Sequence, residues 1–172
     1  MSHLLPIVQK ALELKEMGNL FYKTKDYKKA LGKYTLVQAY TRSIIPPEDE
    51  EAAAFTSGSH AMEDQIEQAK ELNSVTFLNM SLCYFHLGEW QKSIDKATIS
   101  LKNKKTYKAY YRRGKAHEKR NDFERAIQDM TEAVKMDPSD PQDIQQEVMQ
   151  LKYKQKSFIK EKNEKMSGFL LK

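Results

Sequence analysis

Cysteine, glycine, proline and long apolar runs are all scarce in this chain of 172 residues. A lone cysteine, Cys83, cannot close an internal disulfide, which fits the cytosol or nucleus rather than a secreted scaffold. With only 6 glycines and 5 prolines the chain has few turn signals, while its common Lys, Glu, Ala, Leu and Gln favour helix, so an all-α fold is expected. No apolar run approaches the roughly 20 residues that cross a bilayer, and MSHLLPIVQK lacks the charged head and apolar middle of a secretory signal. No membrane partner is expected. A Gly-rich phosphate loop is missing too, and His3, His60, His86 and His117 show no metal-ligand spacing with acids or with Cys83. Carboxylate pairs such as Glu50-Glu51 sit in loop-like sequence, without an apolar pocket to raise a pKa. The expectation is therefore of a chain that is not an enzyme, with no metal and no cofactor.

What is present is charge, unevenly spread over a net +5. Residues 48–71 carry eight acids against the single base Lys70, a local balance of −7 that leaves +12 on the remainder. A basic body points to an anionic partner or to solvated helix faces. In KTYKAYYRRGKAHEKR, Lys108 and Arg112 stand four residues apart, one turn of helix above each other, where they can grip one anionic group together. Nucleic acid is the less favoured partner, because the aromatic residues are needed for helix packing.

An acid-aromatic-x-x-small signature recurs: Asp26-Tyr27-x-x-Ala30, Glu89-Trp90-x-x-Ser93 and Asp122-Phe123-x-x-Ala126. The second and third copies are 33 residues apart and the first two 63, one repeat of about 34 plus an insert of about 29. Some ten residues before each copy a small residue sits among large ones: Gly18 near Leu14 and Phe21, Ser81 near Phe77 and Tyr84, Gly114 near Tyr110 and His117. Helical periodicity is independent of the repeat. Ala126, Ile127, Met130, Ala133 and Val134 form a buried stripe, as do Ala30, Leu31, Tyr34, Val37 and Tyr40. A mid-helix glycine costs about 1 kcal/mol relative to alanine, so Gly18 and Gly114 imply close helix packing.

These residues resemble the tetratricopeptide (TPR) repeat. The loose consensus matches as Leu14-x2-Met17-Gly18-x2-Phe21 with Ala30-x3-Tyr34, and as Gly114-x2-His117 with Ala126-x3-Met130, Ala133 and Pro138. The middle repeat, with Ser81, Ser93 and Ala97, matches least well. The resemblance implies one domain: three helix-turn-helix repeats (11–44, 74–106 and 107–140) in a right-handed superhelix, an acidic insert (45–73), and a C-terminal capping helix (141–165). Within the insert, 45–62 reads as an acidic loop, either a surface excursion or a competitor for the groove. Asp140-Pro141 reads as the start of the last helix, whose stripe is Ile144, Val148, Leu151, Phe158 and Ile159, with fraying expected beyond about Lys160. The basic tail Lys152 to Lys165 is read as part of that cap rather than as a calmodulin-type target.

In a TPR array the first helices of successive repeats line a concave groove. Lys15, Asn19, Asn79, Lys108 and Arg112 then fall on the groove faces of three such helices. The set resembles the dicarboxylate clamp of TPR co-chaperones, which grips the C-terminal Glu-Glu-Val-Asp of the seventy- and ninety-kilodalton heat-shock chaperones, and all five positions match. In that family the terminal Asp offers both of its carboxylates, so the resemblance implies that Lys108 pairs with the side-chain group and Asn19 and Asn79 with the main-chain one. Tyr22, Leu82, His86 and Lys115 occupy further groove positions. Tyr22 matches clamps that prefer the ninety-kilodalton class, while His86 and Lys115 depart from one well-known pattern. The expected function is a co-chaperone interaction module, with a TPR scaffold for another client as the alternative. Overall the chain looks like the TPR part of large immunophilins and of aryl-hydrocarbon-receptor-interacting proteins.

Overall fold

Apolar residues spaced three and four apart wind into seven helices among the described residues, with no strand: α1 (Leu4–Lys23), α2 (Tyr27–Arg42), α3 (Glu63–His86), α4 (Trp90–Asn103), α5 (Tyr107–Lys119), α6 (Phe123–Met136) and α7 (Pro141–Leu170). The computed structural model describes residues 4–45, 63–136 and 141–170. The acidic stretch 46–62, the expected stop at Asp137-Pro138 and the Asp140 cap lie outside them. The chain divides into two units, Met1–Lys105 with α1 to α4 and Thr106–Lys172 with α5 to α7.

Each helix pair α1–α2, α3–α4 and α5–α6 is joined by the same turn, and this is what the acid-aromatic signature encodes. The residue before the acid takes a left-handed conformation: Lys25 (φ 62°), Gly88 (φ 76°) and Asn121 (φ 59°). The acid's own N–H then reaches back to a carbonyl five residues earlier, Asp26 to Phe21, Glu89 to Tyr84 and Asp122 to His117, at 2.9, 2.9 and 3.0 Å. In the first and third turns the acid also caps the following helix, Asp26 Oδ1 accepting from Lys29 N (3.2 Å) and Asp122 Oδ1 from Arg125 N (3.3 Å). Glycine relieves the strain of a positive φ at Gly88, and asparagine tolerates it at Asn121.

In the first unit, Ala30, Tyr34, Met80 and Cys83 form one buried cluster, flanked by Phe21, Tyr22, Tyr27, Leu31 and Phe77. Ala11, Leu14, Val37 and Leu72 form another. The packing that Gly18 implied is direct, since a Cβ there would come within 2.4 Å of the Tyr34 ring. At the α3–α4 crossing the small positions are serines that bond to each other. Ser81 Oγ donates to Ser93 O (2.8 Å), and Ser100 Oγ donates to Ser74 O (2.8 Å). The middle repeat's departures from consensus are thus two buried hydroxyl pairs, seven residues apart on each helix.

In the second unit, Gly114 lets α5 approach α6, where a Cβ would meet the Ala126 carbonyl at 3.2 Å. Arg113 forks onto the buried Asp129 through Nε (2.8 Å) and Nη2 (2.7 Å). Helix α7 covers the apolar side of α6 with Leu151, Ile144 and Val148, which pack with Phe123, Ala126 and Met130. Phe158 meets Phe123 edge-on (5.6 Å), whereas Ile159 is exposed.

Three boundaries differ from expectation. Residues 63–73, placed in the insert, are helical and continuous with the first helix of repeat two, because Ala69 and Leu72 give that stretch a buried side. Helix α1 begins at Leu4, before residue 11. Helix α7 runs to Leu170, past 165, through an exposed Lys- and Glu-rich sequence of good helix formers that includes a Lys160–Glu164 pair one turn apart.

Candidate functional site

The five clamp candidates fall three in the first unit and two in the second, and each group has its own geometry. In the first unit, α1 carries Lys15 and Asn19 one turn apart, and α3 brings Asn79 to them. Asn79 Nδ2 donates to Asn19 Oδ1 at 3.2 Å. The same oxygen accepts from the Tyr34 hydroxyl at 2.8 Å, so both of its lone pairs are used. On the other side of the amide, Asn19 Nδ2 donates to Glu16 Oε2 (3.1 Å), and Lys15 Nζ pairs with Glu16 Oε1 (3.1 Å). Reversing the Asn19 amide would set NH2 against the Asn79 NH2 and carbonyl oxygen against the Glu16 carboxylate. The orientation is therefore fixed chemically.

Electrostatics follow from these contacts. Hydrogen bonds from Lys15 and Asn19 hold the Glu16 carboxyl below the usual range. Burial pushes the Tyr34 hydroxyl well above the ordinary tyrosine value, so it stays a protonated donor at any physiological pH. Lys15 remains about one-fifth exposed. Beside it opens a cavity of about 320 Å³ lined by Val8, Leu12, Lys15, Gln68, Glu71, Leu72 and Val75. The unforeseen helical extension of α3 builds one wall of it.

Of the less central candidates, Tyr22 and His86 meet at the C-terminal ends of α1 and α3, Tyr22 Oη lying 3.0 Å from His86 Nε2. Tyr27 stacks on the His86 ring at 4.9 Å and 8°, completing a three-ring cluster that the sequence reading left unassembled. Leu82 is half-buried on α3.

In the second unit, Thr106 caps α5, its hydroxyl accepting from Ala109 N (3.3 Å), and starts the helix so that Lys108 lies in the first turn and Arg112 in the next. Lys108 is exposed, with Nζ 5.6 Å from the centre of the Tyr107 ring, and Arg112 is half-buried. Lys115, one of the further groove candidates, is occupied by Glu118 (3.1 Å) and Glu147 (3.4 Å). His117 is buried, as its consensus aromatic position implied. Among the described residues no group of three or more His, Cys, Asp or Glu could hold a metal ion, and no helix is long and apolar enough to cross a membrane.

Glu16 and Tyr34 are the members of the Asn19 hydrogen-bond network that sequence reasoning missed. Tyr34 is visible in the sequence as a consensus packing residue of α2, but nothing in linear order says that its hydroxyl reaches Asn19. Glu16 has a usable signal, a carboxylate three residues before Asn19 and next to Lys15, which is within reach of both on any helix.

The tetratricopeptide repeat family model matches residues 107–140. The chain is 31% identical over 140 residues to the peptidyl-prolyl cis-trans isomerase CYP7 of Saccharomyces cerevisiae, covering 76% of this chain and 33% of the relative. It is 25% identical to human peptidyl-prolyl cis-trans isomerase FKBP4, over 73% of this chain and 25% of that protein. The chain thus spans no more than a third of the length of these curated relatives. Among solved structures, it superposes on the C-terminal TPR-containing domain of an FK506-binding protein of Plasmodium falciparum with a TM-score of 0.71 and 24% identity, covering 90% of this chain and 93% of that one. The first TPR domain of Spaghetti (RPAP3), bound to the HSP90 peptide SRMEEVD, gives a TM-score of 0.62 at 23% identity, covering 84% and 92%. This chain has the fold of a tetratricopeptide-repeat domain, and its residues 107–140 are a repeat of that family.

Proposed function

We propose that the chain is a protein-interaction module of the co-chaperone kind, gripping the free C-terminal Glu-Glu-Val-Asp tail of a heat-shock chaperone of the ninety- or seventy-kilodalton class. Three repeats, 11–44, 74–106 and 107–140, supply the clamp residues Lys15, Asn19, Asn79, Lys108 and Arg112. The observation that carries this reading is the α1–α3 arrangement. Two amides from different helices meet at 3.2 Å next to a part-exposed ammonium, a donor set suited to a carboxylate. It is supported by the fold shared with a TPR domain solved with such a peptide. Lys108 and Arg112 add the charge that a second carboxylate requires, and Arg112 can bind an oxyanion through two N–H groups. A cytoplasmic or nuclear location goes with that partner.

A micromolar affinity, about −8 kcal/mol, is expected, because charge-assisted hydrogen bonds are offset by the ordering of a flexible tail. The test is calorimetric titration with an acetylated peptide ending in Met-Glu-Glu-Val-Asp and with its C-terminally amidated twin. The acid should bind and the amide should bind far more weakly. Arg112→Ala should cost about 2–5 kcal/mol, a weakening of about 30-fold or more. Equal binding of the two peptides sinks the reading in favour of a TPR scaffold for another client, for which the apolar cavity beside Lys15 is the favouring observation.

A further inference from the structure

We infer that Tyr34 is a positioning residue of the peptide site: its buried hydroxyl, 2.8 Å from Asn19 Oδ1, joins Asn79 Nδ2 in holding the Asn19 amide so that N–H groups rather than a carbonyl face the ligand carboxylate. This rests on the clamp reading and adds a residue that lies on a second helix of the pair, α2, and touches no ligand.

The geometry makes the case. An asparagine amide has two ends, an acceptor and a double donor, and only the donor end is useful to a carboxylate. Left alone, the side chain of Asn19 would present either. Tyr34, 1% exposed and protonated, has one proton to give, and it points at Asn19 Oδ1. Asn79 Nδ2 takes the remaining lone pair of that oxygen at 3.2 Å. The oxygen is then saturated and turned inward, and the Asn19 NH2 is turned toward Glu16 and Lys15, where the carboxylate is to sit. Asn79 is oriented by the same contact, because the N–H it gives to Asn19 Oδ1 turns its own carbonyl oxygen away from that acceptor.

Gly18 belongs to this device. The Tyr34 ring can lie against α1 only because residue 18 has no Cβ, which would come within 2.4 Å of ring carbon. The neighbouring residue, Asn19, is the one the hydroxyl reaches. The glycine is therefore a requirement of the site as well as of the packing.

The experiment is Tyr34→Phe in the full chain, which keeps the ring that fills the core and deletes the hydroxyl alone. Binding of the free-acid peptide ending in Met-Glu-Glu-Val-Asp should weaken by about three- to tenfold, one hydrogen bond's worth, while weak binding of the amidated twin stays as it was. On an Asn19→Ala background the same substitution should change affinity little, because the group that it orients is gone. The side-chain amide signals of Asn19 in an 15N–1H spectrum should shift in Tyr34→Phe with the backbone pattern preserved. Wild-type affinity in Tyr34→Phe, or an equal loss on both backgrounds, overturns the proposal and leaves the clamp standing. If the wild-type chain fails to tell the acid from the amide, the clamp reading falls and the proposal falls with it.

Discussion

Glu16 holds a carboxylate of the chain's own against Lys15 Nζ and Asn19 Nδ2, two donors that the proposed ligand would use. It is mostly exposed, so the pair is worth little to stability, but an arriving carboxylate has to displace it. Glu16→Gln should therefore tighten binding of the free-acid peptide by about two- to fivefold, measured by calorimetry. A loss of affinity would mean that Glu16 holds the two donors in place instead. His117 sets a different balance. Burial lowers its pKa, against the opposing pull of Asp129 and Asp122, and Arg113 and Arg125 also lower it. Because the folded value lies below the unfolded one of about 6.5, the unfolded chain takes the proton first. Its contribution to stability is present above that pH and is lost as pH falls through the folded value. Thermal midpoints should drop as pH is lowered from about 7 toward 5.5, ahead of carboxylate protonation, and His117→Phe should flatten that stretch.

At the scale of helices, the two serine pairs between α3 and α4 show how a repeat departs from consensus and stays packed. Ser81→Ala or Ser93→Ala alone strands a buried hydroxyl or loses its bond and should cost about 1–3 kcal/mol. The double substitution removes both polar groups and should cost no more than one of the singles, by urea denaturation; simple additivity would refute the coupling. The helices themselves were legible in the sequence, since periodicity at Ala126, Met130 and Ala133, or at Ala30, Tyr34 and Val37, states the buried face directly. The start of α3 was not. Glu63, Asp64, Glu67 and Glu71 look like the continuation of an acidic loop, and only the buried Ala69 and Leu72 between them reveal a helix with one charged side. Lys25 was also illegible as a left-handed residue, because lysine carries no preference for that conformation and the turn imposes it.

Over the whole molecule, a net charge of +5 would make the encounter with the proposed acidic ligand electrostatic. Raising salt from about 0.1 M to about 1 M, which shortens the Debye length from roughly 10 to 3 Å, should slow association with the peptide far more than it alters dissociation, as surface plasmon resonance would show. A salt-independent association rate would leave the charge as mere solvation. The candidates for the proposed site came from the repeat, which gives each first helix the same phase, so Lys15, Asn19, Asn79, Lys108 and Arg112 could be aligned without coordinates. What holds them was not legible, because Tyr34 lies 15 residues from Asn19 and Asn79 lies 60 away, and hydrogen bonds at such separations leave no mark on local pattern.

The single thiol sits in the same cluster as Tyr34 and is wholly enclosed. Cys83 is therefore a built-in clock for the opening of that part of the first unit, since a maleimide reagent can reach its sulfur only while the cluster is apart. The labelling rate of the native chain should fall when the free-acid peptide is bound and not when the amidated twin is added, reporting occupancy of the site from behind it.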